Sequence, residues 1–114
     1  MELITLINSM LDTTNKVTSL ISWFRATRTT NQAKLNAIIV ETETQIRVAK
    51  SKGASRIVTC NLEEVARTQR LIDSYVYDGA LHGDSLVDAY EQLEELNITL
   101  RDNLRRYRDE VIGG

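Results

Sequence analysis

Residues 86–111 read LVDAYEQLEELNITLRDNLRRYRDEV, and this stretch decides the fold class. Leu86, Ala89, Leu93, Leu96, Leu100, Leu104, Tyr107 and Val111 recur every three or four residues, the spacing that places side chains on one face of an α-helix. Neither proline nor glycine interrupts the run, so a helix of about 25 residues is expected. Asp102–Arg106, Arg105–Asp109 and Arg106–Glu110 stand four apart with opposite charge, an arrangement worth a few tenths of a kcal/mol on an exposed helix. Gly83-Asp84-Ser85 reads as a turn, and Ser85 with Asp88 resembles a capping box at the helix start.

Moving toward the N-terminus, Val58, Leu62, Val65, Gln69, Ile72 and Val76 form a second stripe. It ends at Asp78-Gly79, where glycine can take the left-handed stop conformation. Asn61 with Glu64 is another capping pair, so this helix begins near Ser55 or at Asn61. The short connection Gly79–Gly83 sets the two helices antiparallel. Further back, Leu3, Ile7, Met10, Val17, Ile21 and Phe24 fit the same period, and Leu35, Ile38 or Ile39, Ile46 and Ala49 continue it. The Thr-rich stretch from Arg25 to Ala33 breaks the apolar pattern without a helix breaker. Residues 2–50 are therefore one long helix or two joined near Thr29-Thr30-Asn31.

One signal competes. Residues 40–48, VETETQIRV, alternate with period two, and Arg56 to Cys60 is rich in β-branched residues. Joined through Ser51-Lys52-Gly53-Ala54, they make a β-hairpin at about 38–60 and an α+β fold the alternative. A lone two-stranded hairpin is marginal in water, and no third strand is visible. The favoured reading is all-α: an antiparallel three- or four-helix bundle with a long or broken N-terminal helix.

Composition narrows the function classes. The 114 residues fit one domain, and a chain without proline permits long helices. The single cysteine, Cys60, cannot form an intramolecular disulfide and reads as a small packing residue. With no basic start of a secretory signal, the expected setting is cytoplasmic. No apolar run approaches the roughly 20 residues that span a bilayer. Net charge is −2, but it is unevenly placed: Lys16, Arg25, Arg28 and Lys34 carry all the charge between residues 13 and 40, and Asp78, Asp84, Asp88, Glu91, Glu94 and Glu95 carry it between 78 and 95. The two groups should attract.

Catalysis has little to stand on. His82 is the only histidine and sits in a glycine-flanked turn. Glu91, Glu94 and Glu95 cluster without the Glu-x-x-His pattern of a di-metal bundle, and no glycine-rich phosphate loop is present. No catalytic residue, cofactor or metal is expected. Arg101, Arg105, Arg106 and Arg108 could contact phosphates, making a nucleic-acid-associated regulator the alternative function. The interleaved Asp102, Asp109 and Glu110 and the acidic overall balance argue instead for a salt-bridged surface. Residues 2–24 are amphipathic and end in Trp23-Phe24, but too few lysines and arginines intervene to favour a membrane surface.

Length arithmetic completes the reading. If residues 2–50 form one helix, the second helix (about 55–78) runs back beside residues 50–28, and the third (about 84–112) runs forward beside residues 22–50. Asp84, Asp88 and Glu91 then approach Arg25, Arg28 and Lys34, while Arg101, Arg105 and Arg108 approach Glu41 and Glu43. Residues 1–22 overhang a 23–112 core by roughly 30 Å at 1.5 Å per residue. Leu3, Ile4, Leu6, Ile7, Met10 and Leu11 would be an exposed stripe, and such stripes mark interfaces. The expected function is non-catalytic: self-association, a dimer foremost, and protein partner binding as an adaptor, regulator or assembly component. The alternative is a closed four-helix bundle, its first helix folded back across the Arg25–Ala33 joint.

Overall fold

The computed structural model describes residues 2–78 and 83–113, and helix accounts for 91% of it. The helices are α1 (Leu3–Thr27), α2 (Gln32–Ser51), α3 (Arg56–Tyr77) and α4 (Gly83–Gly113). They form the closed four-helix bundle, 47 × 22 × 20 Å. The all-α reading holds and the hairpin alternative does not.

The single long helix fails at Arg28. Arg28 takes a left-handed conformation (φ 58°) and its amide donates to Phe24 O. The Thr27 hydroxyl donates to Trp23 O and accepts from the Thr29 amide, and Asn31 Oδ1 accepts from the Lys34 amide to cap α2. Short polar side chains thus satisfy the helix ends without glycine or proline. The segment expected to turn a β-hairpin ends α2 instead. Gly53 (φ 66°) donates to Lys50 O and the Ala54 amide reaches back to Ala49 O, a Schellman cap built on glycine's access to positive φ. Residues 40–48 lie in α2 and 56–60 in α3, because Leu35, Ile38, Ile39, Thr42, Gln45 and Ala49 make a continuous buried face at helical spacing. Helix α3 starts after Ser55 rather than at Asn61, and Ser85 lies inside α4 rather than capping it. The Gly79 stop and His82 fall outside the described residues.

Pairing is cyclic. Among the described residues, helix α1 packs along α2 and α4, α3 packs along α2 and α4, and the diagonal pairs meet only through core side chains. Gln45–Ser9 and Glu41–Lys16 set α2 antiparallel to α1, and Lys50–Glu63 and Glu43–Arg70 do the same for α3 on α2. Asn97–Thr14 and Glu94–Arg25 lay α4 along α1, not along residues 22–50. Of the expected approach of Asp84, Asp88 and Glu91 to Arg25, Arg28 and Lys34, Glu91 lies beside Arg25 and Arg28, but the ion pair of Arg25 closes on Glu94 and Lys34 donates to Ser19. Glu41 and Glu43 pair instead with Lys16 and Arg70, since folding α1 back removes Arg101, Arg105 and Arg108 from their reach.

The core draws on every helix: Leu6, Ile7, Met10, Leu20 and Phe24 from α1, Leu35 and Ile38 from α2, Leu62 and Ile72 from α3, Leu93 and Leu104 from α4. Leu93 and Leu100 are buried as expected, while Leu96 stays half-buried at the α3/α4 seam. Cys60, read as a packing residue, is exposed. Truncating Leu6 or Leu93 to Ala is expected to cost about 2–5 kcal/mol in urea unfolding. Ile57→Ala, at a side chain 65% exposed, should stay within about 0.5 kcal/mol. Ile7→Asp should unfold the whole bundle, because an uncompensated carboxylate would enter a core position.

Candidate interaction surface

The stripe expected to form an interface is mostly interior. Leu6, Ile7 and Met10 are each 1% exposed. Leu3 and Leu11 are half-buried against the core, and Ile4 is half-buried. Ile4, Leu11, Thr18 and Arg25 recur at seven-residue intervals, and Thr18 and Arg25 both bond to α4, so this edge of α1 faces its neighbour. Within the expected 1–22 overhang, the described residues 2–22 are therefore part of the bundle rather than outside a 23–112 core. With the break at Arg28, α1 has 25 residues against 31 in α4, and its apolar face finds cover within the chain. Phe24 lies flat on Tyr90, ring centroids 3.9 Å apart, while Trp23 stays half-exposed.

The arginines of α4 do not form one patch. Arg101 and Arg108 follow Glu94 at seven-residue steps and share its edge toward α1; both are half-buried, and Arg105 beside them is exposed. The Arg101 Nε is buried without a hydrogen-bond partner. Arg106 lies on the opposite flank, in a shallow recess with Ser55, Ile57 and Asn103. Among the described residues the ion pairs within 4.0 Å are Lys16–Glu41, Arg25–Glu94, Lys50–Glu63 and Arg70–Glu43, so none of the three expected pairs along α4 closes.

A surface the sequence reading missed runs along α3. A groove of about 440 Å³ between α3 and α4 is lined by Glu64, Arg67, Thr68, Arg70, Leu71, Gln92 and Leu96. A second, about 390 Å³, lies between α2 and α3 and adds Glu43, Ile46, Arg47, Glu63 and Ala66. Arg67 and Arg70 form the ridge common to both. Arg70 is held on both carboxylate oxygens of Glu43 at 2.5 and 2.6 Å, Arg47 donates to the Thr44 hydroxyl, and Arg67 has no ion pair among the described residues. Leu71 is 40% exposed beside them. On the solvent side of α4, Asp84, Asp88, Glu91 and Glu95 are all exposed and recur at helical spacing, an acidic stripe whose Glu91 lies toward α1 beside Arg25 and Arg28. Residues 70 and 71 stand three and four positions after 67 and could have been read with it as one face; the apolar stripe of the same helix masks that pattern.

Two carboxyls are held below their ordinary range. Hydrogen bonds from Arg25, at 2.5 and 2.7 Å, lower Glu94 against a smaller effect of burial, and the positive charge of Arg25 adds to it. Burial pushes Glu41 up, but hydrogen bonds from Lys16 and Thr13 and the Lys16 charge outweigh it. Burial raises the Tyr90 phenol, partly offset by its bond to Thr30. No metal-binding cluster occurs among the described residues, and no described helix is long and apolar enough to cross a membrane.

Comparison with family models, curated proteins and solved structures yields no match to this chain.

Because Glu41 and Glu94 titrate below the ordinary 4.5 in the fold, their contribution is fully present above that value and disappears as pH falls through the folded values. Calorimetric Tm should drop between about pH 5 and pH 3. The E41Q/E94Q variant should start lower at neutral pH and lose less across that window.

Proposed function

We propose that this chain is a non-catalytic helical interaction protein that self-associates as a two-fold dimer through its α3/α4 face. The observation that carries the reading is the pairing of a basic ridge, Arg67 and Arg70 with half-exposed Leu71, and exposed acids, Asp84, Asp88 and Glu95, on the solvent sides of adjacent helices. A two-fold axis brings the ridge of one copy onto the stripe of the other, twice over, which is what an isologous interface requires. Leu71 and Leu96 supply an apolar centre and the charges a polar rim. The role of adaptor, regulator or assembly component, with further protein partners, belongs to the same proposal. So does a cytoplasmic setting, which the lone exposed thiol of Cys60 fits.

Sedimentation at rising protein concentration is expected to give a monomer–dimer equilibrium that weakens with salt. Arg67→Glu should abolish it without lowering Tm, and adding Glu95→Arg to that variant should restore it. A wild type that stays monomeric at high concentration defeats the reading.

A nucleic-acid role has one favouring observation: Arg105 and Arg106 are exposed and free of ion pairs. Their placement on opposite flanks of α4 weighs against it. A labelled duplex bound at about 50 mM salt and lost at about 200 mM would support it over the dimer.

A further inference from the structure

The middle of the bundle is polar. Thr13, Thr14, Thr42, Gln45 and Asn97 surround a void of about 10 Å³ that is completed by five aliphatic side chains, and every lining residue is buried. The hydrogen-bond pattern leaves this void a single chemical character. Gln45 Nε2 donates to the hydroxyls of Ser9 (3.1 Å) and Thr13 (2.8 Å). Thr13 in turn donates to Glu41 Oε1 at 2.8 Å, so its oxygen can only accept from Gln45. Asn97 Nδ2 donates to Thr14 O at 3.1 Å, a carbonyl that cannot donate back. Both amides are thereby fixed in orientation, with Gln45 Oε1 and Asn97 Oδ1 buried and without a partner. The hydrogens of Thr14 and Thr42 are committed to Leu11 O (2.6 Å) and Ile38 O (2.8 Å). The void is ringed by acceptors with no donor to spare.

A guest there must donate hydrogen bonds, and the space is at the lower bound for one water molecule, roughly 10–15 Å³. We propose that the void is a built site for a single buried water, which donates to Gln45 Oε1 and Asn97 Oδ1. Gln45 belongs to α2 and Asn97 to α4, the diagonal pair whose side chains meet only in the middle of the core, around this void. The water thus adds a polar link across the bundle, between helices that no direct hydrogen bond joins among the described residues. It also removes the cost of two buried acceptors, which is substantial in a dry interior.

The test uses the intact chain. A crystal structure at high resolution should show one water within about 2.7–3.2 Å of both oxygens. Oxygen-17 relaxation dispersion in solution should count one long-lived water that the N97L variant, its side chain filling the void, no longer holds. A void without density overturns the proposal. So does a monovalent cation at shorter distances, or the buried Gln69 amide swung round to donate to either oxygen. If N97L does not fold, the wild-type dispersion and density still decide it.

Discussion

Tyr90 of α4 holds both sides of the turn on which the bundle depends. Its ring lies on Phe24, in the last full turn of α1, and its hydroxyl donates to Thr30 at 2.9 Å, just before α2 begins. Between those contacts Arg28 sits in a left-handed conformation that costs a side-chain-bearing residue roughly 1–2 kcal/mol. The cost is sustained by the surrounding bonds: Thr27 to Trp23 and Thr29, Asn31 to Lys34, and the Lys34 ammonium to Ser19 at 2.7 Å. Once α1 is folded back here, its apolar face covers α2 and α4, and everything else about the pairing follows.

The interior then has to accommodate an uncommon load of polar side chains. Gln45, Gln69 and Asn97 are each at most 5% exposed, and Gln69 has neither amide atom paired. Aliphatic replacements would make a more stable core, but they would also let the helices slide by a turn without penalty. Gln45 bonds only where Ser9 and Thr13 lie opposite, and Asn97 only where Thr14 and Thr18 do. We regard the polar layer as what selects one register among several that burial alone would allow, a role well attested for single buried amides in coiled coils.

The sequence made the helices legible and their arrangement only partly so. Period-3.6 spacing located α4 and α3, and the Thr-rich stretch located the joint, because backbone periodicity is a local property. Whether that joint bends is not local: it depends on Tyr90, some sixty residues away, and on a positive φ at an arginine, which carries no compositional signal. With the joint taken as straight, α4 fell against the wrong neighbour and Leu6, Ile7 and Met10 were left uncovered. The acidic run from Asp78 to Glu95 does reach Arg25, but through Glu94 and Glu91 rather than Asp84 or Asp88. The Arg67–Arg70 ridge escaped notice because alternating charge on a half-buried helix looks like ordinary solvated surface until a groove opens on each side of it.

Cyclic neighbour-to-neighbour packing also shapes how the chain reaches this state. Three of the four seams join helices adjacent in sequence through connections of a few residues, so most of the structure can form as successive local hairpins with little loss of chain entropy. Such topologies fold in microseconds to milliseconds. The fourth seam is different. Arg25 and Glu94 are separated by 69 positions, and Asn97 meets Thr14 across 83, so the ring closes only when the two outermost helices find each other. That closure is where the barrier should lie: the last seam to form is also the one that ties the two ends of the chain into a single ring.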